Sequence, residues 1–346
     1  MQWSGLVVLL VACSSPSHAL SPDASKPESA IDAAIDARAD SPLDAPTIHT
    51  FSPTCSTTPS VLLATGVRII GNMARAEDTL YVSAYQADPN TGTISDNALY
   101  TIDLTTDIAT FSAGAVPVEL WPAGDNVYES EAQADGTIWQ LRPGLAPVAL
   151  VQHLPTPTVV TADHDYVYWA DSSDTVQRQL LAGGPIETVM SCASATRLVI
   201  DDLYIYCSSA EHIMRALKAG GGTVDEVVTM ITDYPVTSMI KDGAYLYDVT
   251  LDVFPDLLRI DGTTGTLIDK LSTSGRYAGL AASTDYFYIA DLNHGLRRIQ
   301  RTTYADELIV DHYGVLLDPV LWNHDLFYED QDPQLFGERY VMHCVD

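Results

Sequence analysis

The sequence predicts an all-β fold: a seven-bladed β-propeller closed by an N-terminal strand and preceded by a signal peptide and a disordered tether. Three observations carry this expectation. A tyrosine after an acidic turn recurs along the chain, and the final tyrosines of the copies, Tyr81, Tyr128, Tyr168, Tyr206, Tyr247, Tyr288 and Tyr328, stand 47, 40, 38, 41, 41 and 40 residues apart. Each period reads as short strands separated by turns, the make-up of a propeller blade. The chain ends complement each other, because the last copy supplies only three strands while a spare strand precedes the first copy.

Residues 1–12 read as the signal peptide. The apolar run Gly5 to Ala12 is too short to cross a bilayer of about 30 Å but suits a signal-peptide core, and no later segment reaches the ~18 apolar residues of a spanning helix. The run ends in Leu10-Val11-Ala12-Cys13, which resembles the bacterial lipobox. That resemblance implies acylation of Cys13, a membrane partner through the lipid anchor, and a place in the bacterial cell envelope as an outer-membrane or cell-surface lipoprotein. The n-region Met1-Gln2-Trp3-Ser4 lacks Lys and Arg, and Ser17-His18-Ala19 offers an ordinary cleavage site as the alternative.

Residues 13–54 form the expected lipidated, disordered linker. The stretch is rich in Ala, Asp, Ser and Pro, with the near-repeat Ile31-Asp32-Ala33-Ala34-Ile35-Asp36-Ala37, and has no aromatic before Phe51. Too little apolar surface and mutually repelling charges favour an extended tether, with a short helix at Glu28 to Arg38 as the competing reading.

Residues 55–346 carry the propeller. In the third copy the strands are Thr158 to Thr161, Tyr166 to Ala170, Thr175 to Leu180 and Ile186 to Met190, broken by Asp163-His164-Asp165, Ser172-Ser173-Asp174 and Ala182-Gly183-Gly184-Pro185. Tyr-x-Tyr alternation puts both rings on one face of the strand, where they fill the wedge between blades, so the tyrosines read as core. Val167-Tyr168-Trp169-Ala170-Asp171 with Val176 to Leu180, and Phe287-Tyr288-Ile289-Ala290-Asp291 with Gly295 to Arg298, resemble YWTD-type and NHL-like propeller repeats. The resemblance implies a structural, hydrogen-bonding role for Asp171 and Asp291, with calcium binding as the alternative; no other cofactor is indicated.

The last copy reads as Val315 to Leu321, Leu326 to Glu329 and Arg339 to Cys344, and Ser60 to Thr65 is the strand expected to complete it. With Cys13 assigned to the lipid, Cys55, Cys192, Cys207 and Cys344 form an even set in an oxidising compartment. Cys55 with Cys344 and Cys192 with Cys207 are the expected disulfides; a zinc site is the other use of four cysteines, though no C-x-x-C spacing supports it.

Chemistry is sparse. Lys and Arg number 17 against 46 Asp and Glu, a net charge of -29 that argues against a nucleic-acid partner and leaves cations or basic partners open. No G-x-S-x-G, H-E-x-x-H, P-loop or dinucleotide fingerprint occurs. His164, His294 and His324 fall in polar turns, Asp330-Gln331-Asp332 is a weak metal pattern, and Gly220-Gly221-Gly222 reads as a hairpin. The insertion Gln86 to Asn97 reads as a long irregular loop suited to recognition. No catalytic residue is assigned. The sequence favours a non-catalytic binding or scaffolding module for a protein, peptide or glycan. The alternative is a propeller hydrolase or lyase with a divalent metal in the central channel.

Overall fold

The computed structural model describes residues 54–55, 61–62, 69–87, 94–106, 108–112, 118–209, 212–229, 236–250, 256–272, 277–292, 294–311, 319–322, 325–330 and 340–345. Cys13, the expected signal peptide, nearly all of the expected linker with its Glu28 to Arg38 segment, and His324 lie outside them. The described residues form antiparallel sheets only, and no helix among them is long and apolar enough to cross a membrane.

Six sheets are four-stranded blades laid down in chain order: blade 1 (69–112), blade 2 (118–155), blade 3 (157–191), blade 4 (197–229), blade 5 (236–272) and blade 6 (277–311). The expectation of seven four-stranded blades is therefore corrected to six. The last repeat joins both chain ends in a five-stranded sheet made of Val320–Trp322, Asp325–Asp330, Tyr340–Val345 and the short strands Thr54–Cys55 and Val61–Leu62. Each sheet's innermost strand packs against that of the next, and this closing sheet sits between blade 6 and blade 1.

The closing strand also differs in form from the single strand expected at Ser60 to Thr65. Thr54 and Cys55 pair with Val345 and Cys344, while Val61 and Leu62 pair with Val341 and Tyr340. From Cys55 to Val61 is six residues along the chain, but from Cys344 to Val341 is only three, so one continuous ladder is ruled out; Pro59, which has no N–H, falls in the interval.

In each blade the second strand is the core element. Tyr166–Asp171 and Tyr286–Asp291 are buried from their second residue onward because both faces meet neighbouring blades. Turns follow the expected chemistry: Gly183 and Gly220 adopt φ of 85° and 75°, which only glycine takes without strain. The insertion Gln86 to Asn97 is corrected from loop to ribbon. Strands Thr79–Ala87 and Ile94–Asp103 run into it, pairing Gln86 with Ser95 and Ala87 with Ile94, so only 88–93 fall outside the described strands.

Candidate functional site

Blades 3 to 6 share a stacked unit on one face. Arg178, Arg215, Arg259 and Arg298 on the third strands stand opposite the repeat tyrosines Tyr168, Tyr206, Tyr247 and Tyr288. Each guanidinium lies over the ring of the tyrosine two residues earlier, at 4.5 Å from Tyr166, 4.6 Å from Tyr204, 5.3 Å from Tyr245 and 4.6 Å from Tyr286. Each also pairs with a fourth-strand carboxylate: Glu187, Asp225, Asp269 or Glu307. The stack reaches the next blade, since Arg178 donates to Lys218 O and Ala219 O, and Arg215 to Gly262 O and Thr263 O at 2.8 and 2.9 Å.

A second recurring unit sits beside it. Asp163, five residues before Tyr168, caps its turn by accepting from the Asp165 and Tyr166 N–H groups, while its other oxygen accepts from Tyr168 Oη at 3.0 Å and from Lys218 Nζ of blade 4 at 2.9 Å. Burial raises the Asp163 pKa, but the Lys218 hydrogen bond and the two N–H donors outweigh it and the net shift is downward. Asp201 repeats this with Tyr206 Oη at 3.0 Å and Lys241 of blade 5 at 3.9 Å. Tyr206 Oη also lies 2.6 Å from Gly262 O, so its one proton is shared between that carbonyl and Asp201, and a Cβ at Gly262 would lie 3.2 Å from the hydroxyl. In blade 5, Asp242 pairs with Arg301 of blade 6, whose guanidinium lies 5.6 Å from the Tyr247 ring centre.

Blade 1 lacks both units. Tyr81 is kept, but Thr79 stands where the first tyrosine would be, Thr101 opposite Tyr81 where the arginine would be, and Thr110 opposite Thr101 where the carboxylate would be. Ala76 occupies the position of Asp163. The result is a groove of about 530 Å³ between blade 1 and the turn after the third strand of blade 2, lined by these threonines, Tyr81, Leu99, Ile108, Arg142, Leu145 and Pro147. Ile108 and Leu145 are 62% and 59% exposed, an apolar rim at the mouth. Arg142 follows the third strand of blade 2 as Lys218 and Arg301 follow those of blades 4 and 6, yet it has no carboxylate partner among the described residues. Burial, with Glu77 adding to it, pushes the Tyr81 phenol up to about 12, so the hydroxyl stays protonated and can donate.

A charged layer forms nearer the axis. Arg197 on the innermost strand of blade 4 lies 5.2 Å from the Trp121 ring of blade 2, reaching across blade 3. Burial raises the pKa of Glu119, although solvent touches it, and raises that of the fully buried Asp248 well above the ordinary range; Arg197 opposes both shifts. Burial, then repulsion from Glu131, pushes Glu129 up to about 7. Glu131 itself accepts from Thr137 N and Trp139 Nε1, both at 3.0 Å. Glu129, Asp248 and Glu329 each follow the final tyrosine of their repeat, a position that is apolar in the other four copies.

Of the residues singled out by sequence, Cys192 and Cys207 form a disulfide that ties the end of blade 3 to the second strand of blade 4. Cys55 and Cys344 are brought opposite each other in the backbone register, and their sulfurs lie outside the described atoms. Asp171 Oδ1 accepts from Ser173 N at 2.8 Å; Asp291 Oδ2 lies 3.0 Å from His294 Nδ1 and 3.8 Å from Arg297. His164 is exposed in its turn. Gly220 to Gly222 turn the hairpin between His212–Leu217 and Asp225–Thr229. Asp330 ends a strand, while Gln331 and Asp332 lie outside the described residues. Among the described residues no group of three or more His, Cys, Asp or Glu is placed to hold a metal ion. Ala76 and Thr79 stand at fixed offsets before Tyr81 and were within reach of the sequence, whereas Thr101 and Thr110 align with the arginines and carboxylates only through strand register, which is why the groove was missed.

No family model matches the chain, and no curated protein matches it. Among solved structures, a chain of a mitotic checkpoint complex is similar with a TM-score of 0.63 and 11% identity, covering 84% of this chain and 96% of that one. A computationally designed protein, Ika8, is similar with a TM-score of 0.55 and 13% identity, covering 82% of this chain and 99% of that one. At these identities the likeness is one of fold, and with the ring of sheets it makes this chain a β-propeller.

Proposed function

We propose that the chain is a lipid-anchored, extracytoplasmic β-propeller acting as a non-catalytic binding or scaffolding module for a protein, peptide or glycan. The groove between blades 1 and 2 carries the reading: it interrupts a framework whose stacked unit recurs in four other blades, and its mouth has an apolar rim. A Cys55–Cys344 disulfide fastens the five-stranded sheet that joins the chain ends. The Cys192–Cys207 disulfide supports an oxidising compartment, and Leu10 to Cys13 supports an acyl anchor on Cys13.

A photoreactive amino acid at Leu145, used in cells, tests the module. The expected result is a crosslinked partner that disappears when Thr101→Arg refills the groove. A crosslink indifferent to Thr101→Arg, or none at all, overturns the reading. Cys13→Ser tests the anchor. The variant should leave the membrane fraction, since each buried CH₂ of an acyl chain contributes about 0.8 kcal/mol. Unchanged fractionation overturns the anchor.

A further inference from the structure

We propose that the groove between blades 1 and 2 receives an acidic side chain of an extended partner peptide, its carboxylate held by the Tyr81 hydroxyl and the Arg142 guanidinium that line it. This rests on the binding-module reading and names what the module takes.

In blades 3 to 5 the residue five positions before the final tyrosine is an aspartate paired with a cation of the following blade: Lys218, Lys241 or Arg301. Blade 1 keeps two of the three members. Tyr81 is present and Arg142 stands where Lys218 and Arg301 stand, but the carboxylate position holds Ala76. Both retained groups line the same groove. Among the described residues nothing accepts from the Tyr81 hydroxyl, whereas the equivalent hydroxyls of Tyr168 and Tyr206 donate to their aspartates. A phenol donor and an unpaired guanidinium at one site are the recognition elements for a carboxylate, which accepts several charge-assisted hydrogen bonds at once. The carboxylate lining the groove, Asp103, is already engaged: one of its oxygens accepts from the Thr105 N–H at 2.8 Å and the Thr105 hydroxyl at 2.6 Å.

The rest of the lining favours a peptide. Ile108, Leu145 and Pro147 offer apolar contacts on either side of the acid, where an acidic sugar would present hydroxyls. Ile108–Ser112 is the outermost strand of blade 1, a template along which an extended chain can run.

The test is an NMR titration of the folded propeller with acetyl-Leu-Asp-Leu-amide, its Asn counterpart, and glucuronate. The expected result is perturbation of residues 99–110 and 142–147 by the Asp peptide, with the Asn peptide at least about tenfold weaker, as for the loss of one charge-assisted hydrogen bond. Arg142→Ala should weaken the Asp peptide by about tenfold. Thr101→Arg, which blocks the groove, should abolish binding. Equal affinity for the two peptides, undiminished binding in the Arg142→Ala or Thr101→Arg protein, response to glucuronate alone, or no response to any probe overturns the proposal. Equal binding of both peptides at the groove would leave the binding module standing, whereas an absent crosslink at Leu145 would remove the module itself.

Discussion

Blades 3 to 6 and blade 1 are built from the same repeat, yet they treat the space toward the next blade in opposite ways. In blades 3 to 6 an arginine is sandwiched between a tyrosine ring and a carboxylate and, in blades 3 and 4, hydrogen-bonds the carbonyls of the blade that follows. In blade 1 three threonines leave that space open. Cation–π contacts contribute roughly 0.5–2 kcal/mol each, and hydrogen bonds from charged groups roughly 1.5–3. The stacked arc is thus held by charged side chains, whereas the blade 1 junction rests on an apolar cluster, Tyr81 and Leu99 with Leu120, Val127 and Leu141, and on the Asn72 side-chain amide, which accepts from Leu120 N and donates to Leu120 O. Blade 2 lacks the stack too, with Asn126, Gln140 and Val148 at its positions, so the stacked arc covers four consecutive blades and the first two are built differently.

The sharpest way to break this contrast is to remove one arginine from each region. Arg215 is buried, stacks on Tyr204 and donates to Gly262 O and Thr263 O, so Arg215→Ala removes a cation–π contact and two charge-assisted hydrogen bonds and takes from Thr263 O its donor. A loss of about 3–4 kcal/mol is expected, read as a fall of roughly 6–12 °C in Tm. Arg142→Ala, on an exposed side chain, should change stability by less than about 0.5 kcal/mol. Similar losses in the two variants would show that the stack does not hold the arc together.

The buried acids give a pH test of the unstacked side. Glu129 in blade 2 has its pKa raised to about 7 by burial and Glu131, above its unfolded value near 4.5. A raised carboxyl pKa means that ionisation opposes folding. The stabilising contribution of the protonated form is full below about 4.5 and is lost as pH rises through about 7. Glu129→Gln does not titrate, so at pH 8 it should exceed the parent by about 3 kcal/mol and at pH 4 match it. Parallel pH profiles for the two proteins would refute the assignment.

Rebuilding the missing unit gives a smaller effect of the opposite sign. Thr79→Tyr, Thr101→Arg and Thr110→Glu together transplant the blade 3 arrangement into blade 1. The combination should raise stability by about 1–2 kcal/mol by denaturant titration, since it adds a cation–π contact and an ion pair to a site with room for them. It should also close the groove to the Asp peptide. A destabilised protein would mean that the blade 1 backbone is not equivalent to that of blade 3.

The repeat was legible because Tyr-x-Tyr recurs at a period close to 40 and because strands bounded by Asp, Gly and Ser turns show in sequence. Strands such as Thr175–Leu180 and the Cys192–Cys207 disulfide follow from it directly. The arginine of the stack was hidden for a physical reason. Arg178, Arg215, Arg259 and Arg298 follow their tyrosines by 10, 9, 12 and 10 residues, because the hairpin turns between second and third strands differ in length, and strand register cancels the offset only in three dimensions. Glu129, Asp248 and Glu329 had a fixed offset of one residue after the tyrosine and were within reach of a column-by-column comparison of the copies. The closing strand came out as two pairings, at Thr54–Cys55 and Val61–Leu62, because a period says nothing about the register of a strand outside the repeat.

The smallest expected effect compares the aspartate of blade 3 with the alanine of blade 1. In Asp163→Asn the turn keeps an oxygen able to accept from Asp165 N and Tyr166 N, but the charge facing Lys218 is gone, with Lys218 and Asp163 both mostly shielded from solvent. The pKa of Asp163 is lowered in the folded protein, burial being outweighed by Lys218 and the N–H donors. Its contribution is therefore present above the unfolded pKa and is lost as pH falls through the lower, folded value. The Asn variant should be less stable than the parent by about 1 kcal/mol at pH 7, with the difference shrinking toward zero as the solution is acidified below the unfolded carboxylate range near 3.9. In blade 1 the same position holds the buried Ala76, packed with Leu99, Leu120 and Leu141. If Asp163→Asn costs nothing at pH 7, or if its deficit persists unchanged in acid, the aspartate is only a turn cap, and its replacement by alanine in blade 1 has no electrostatic consequence.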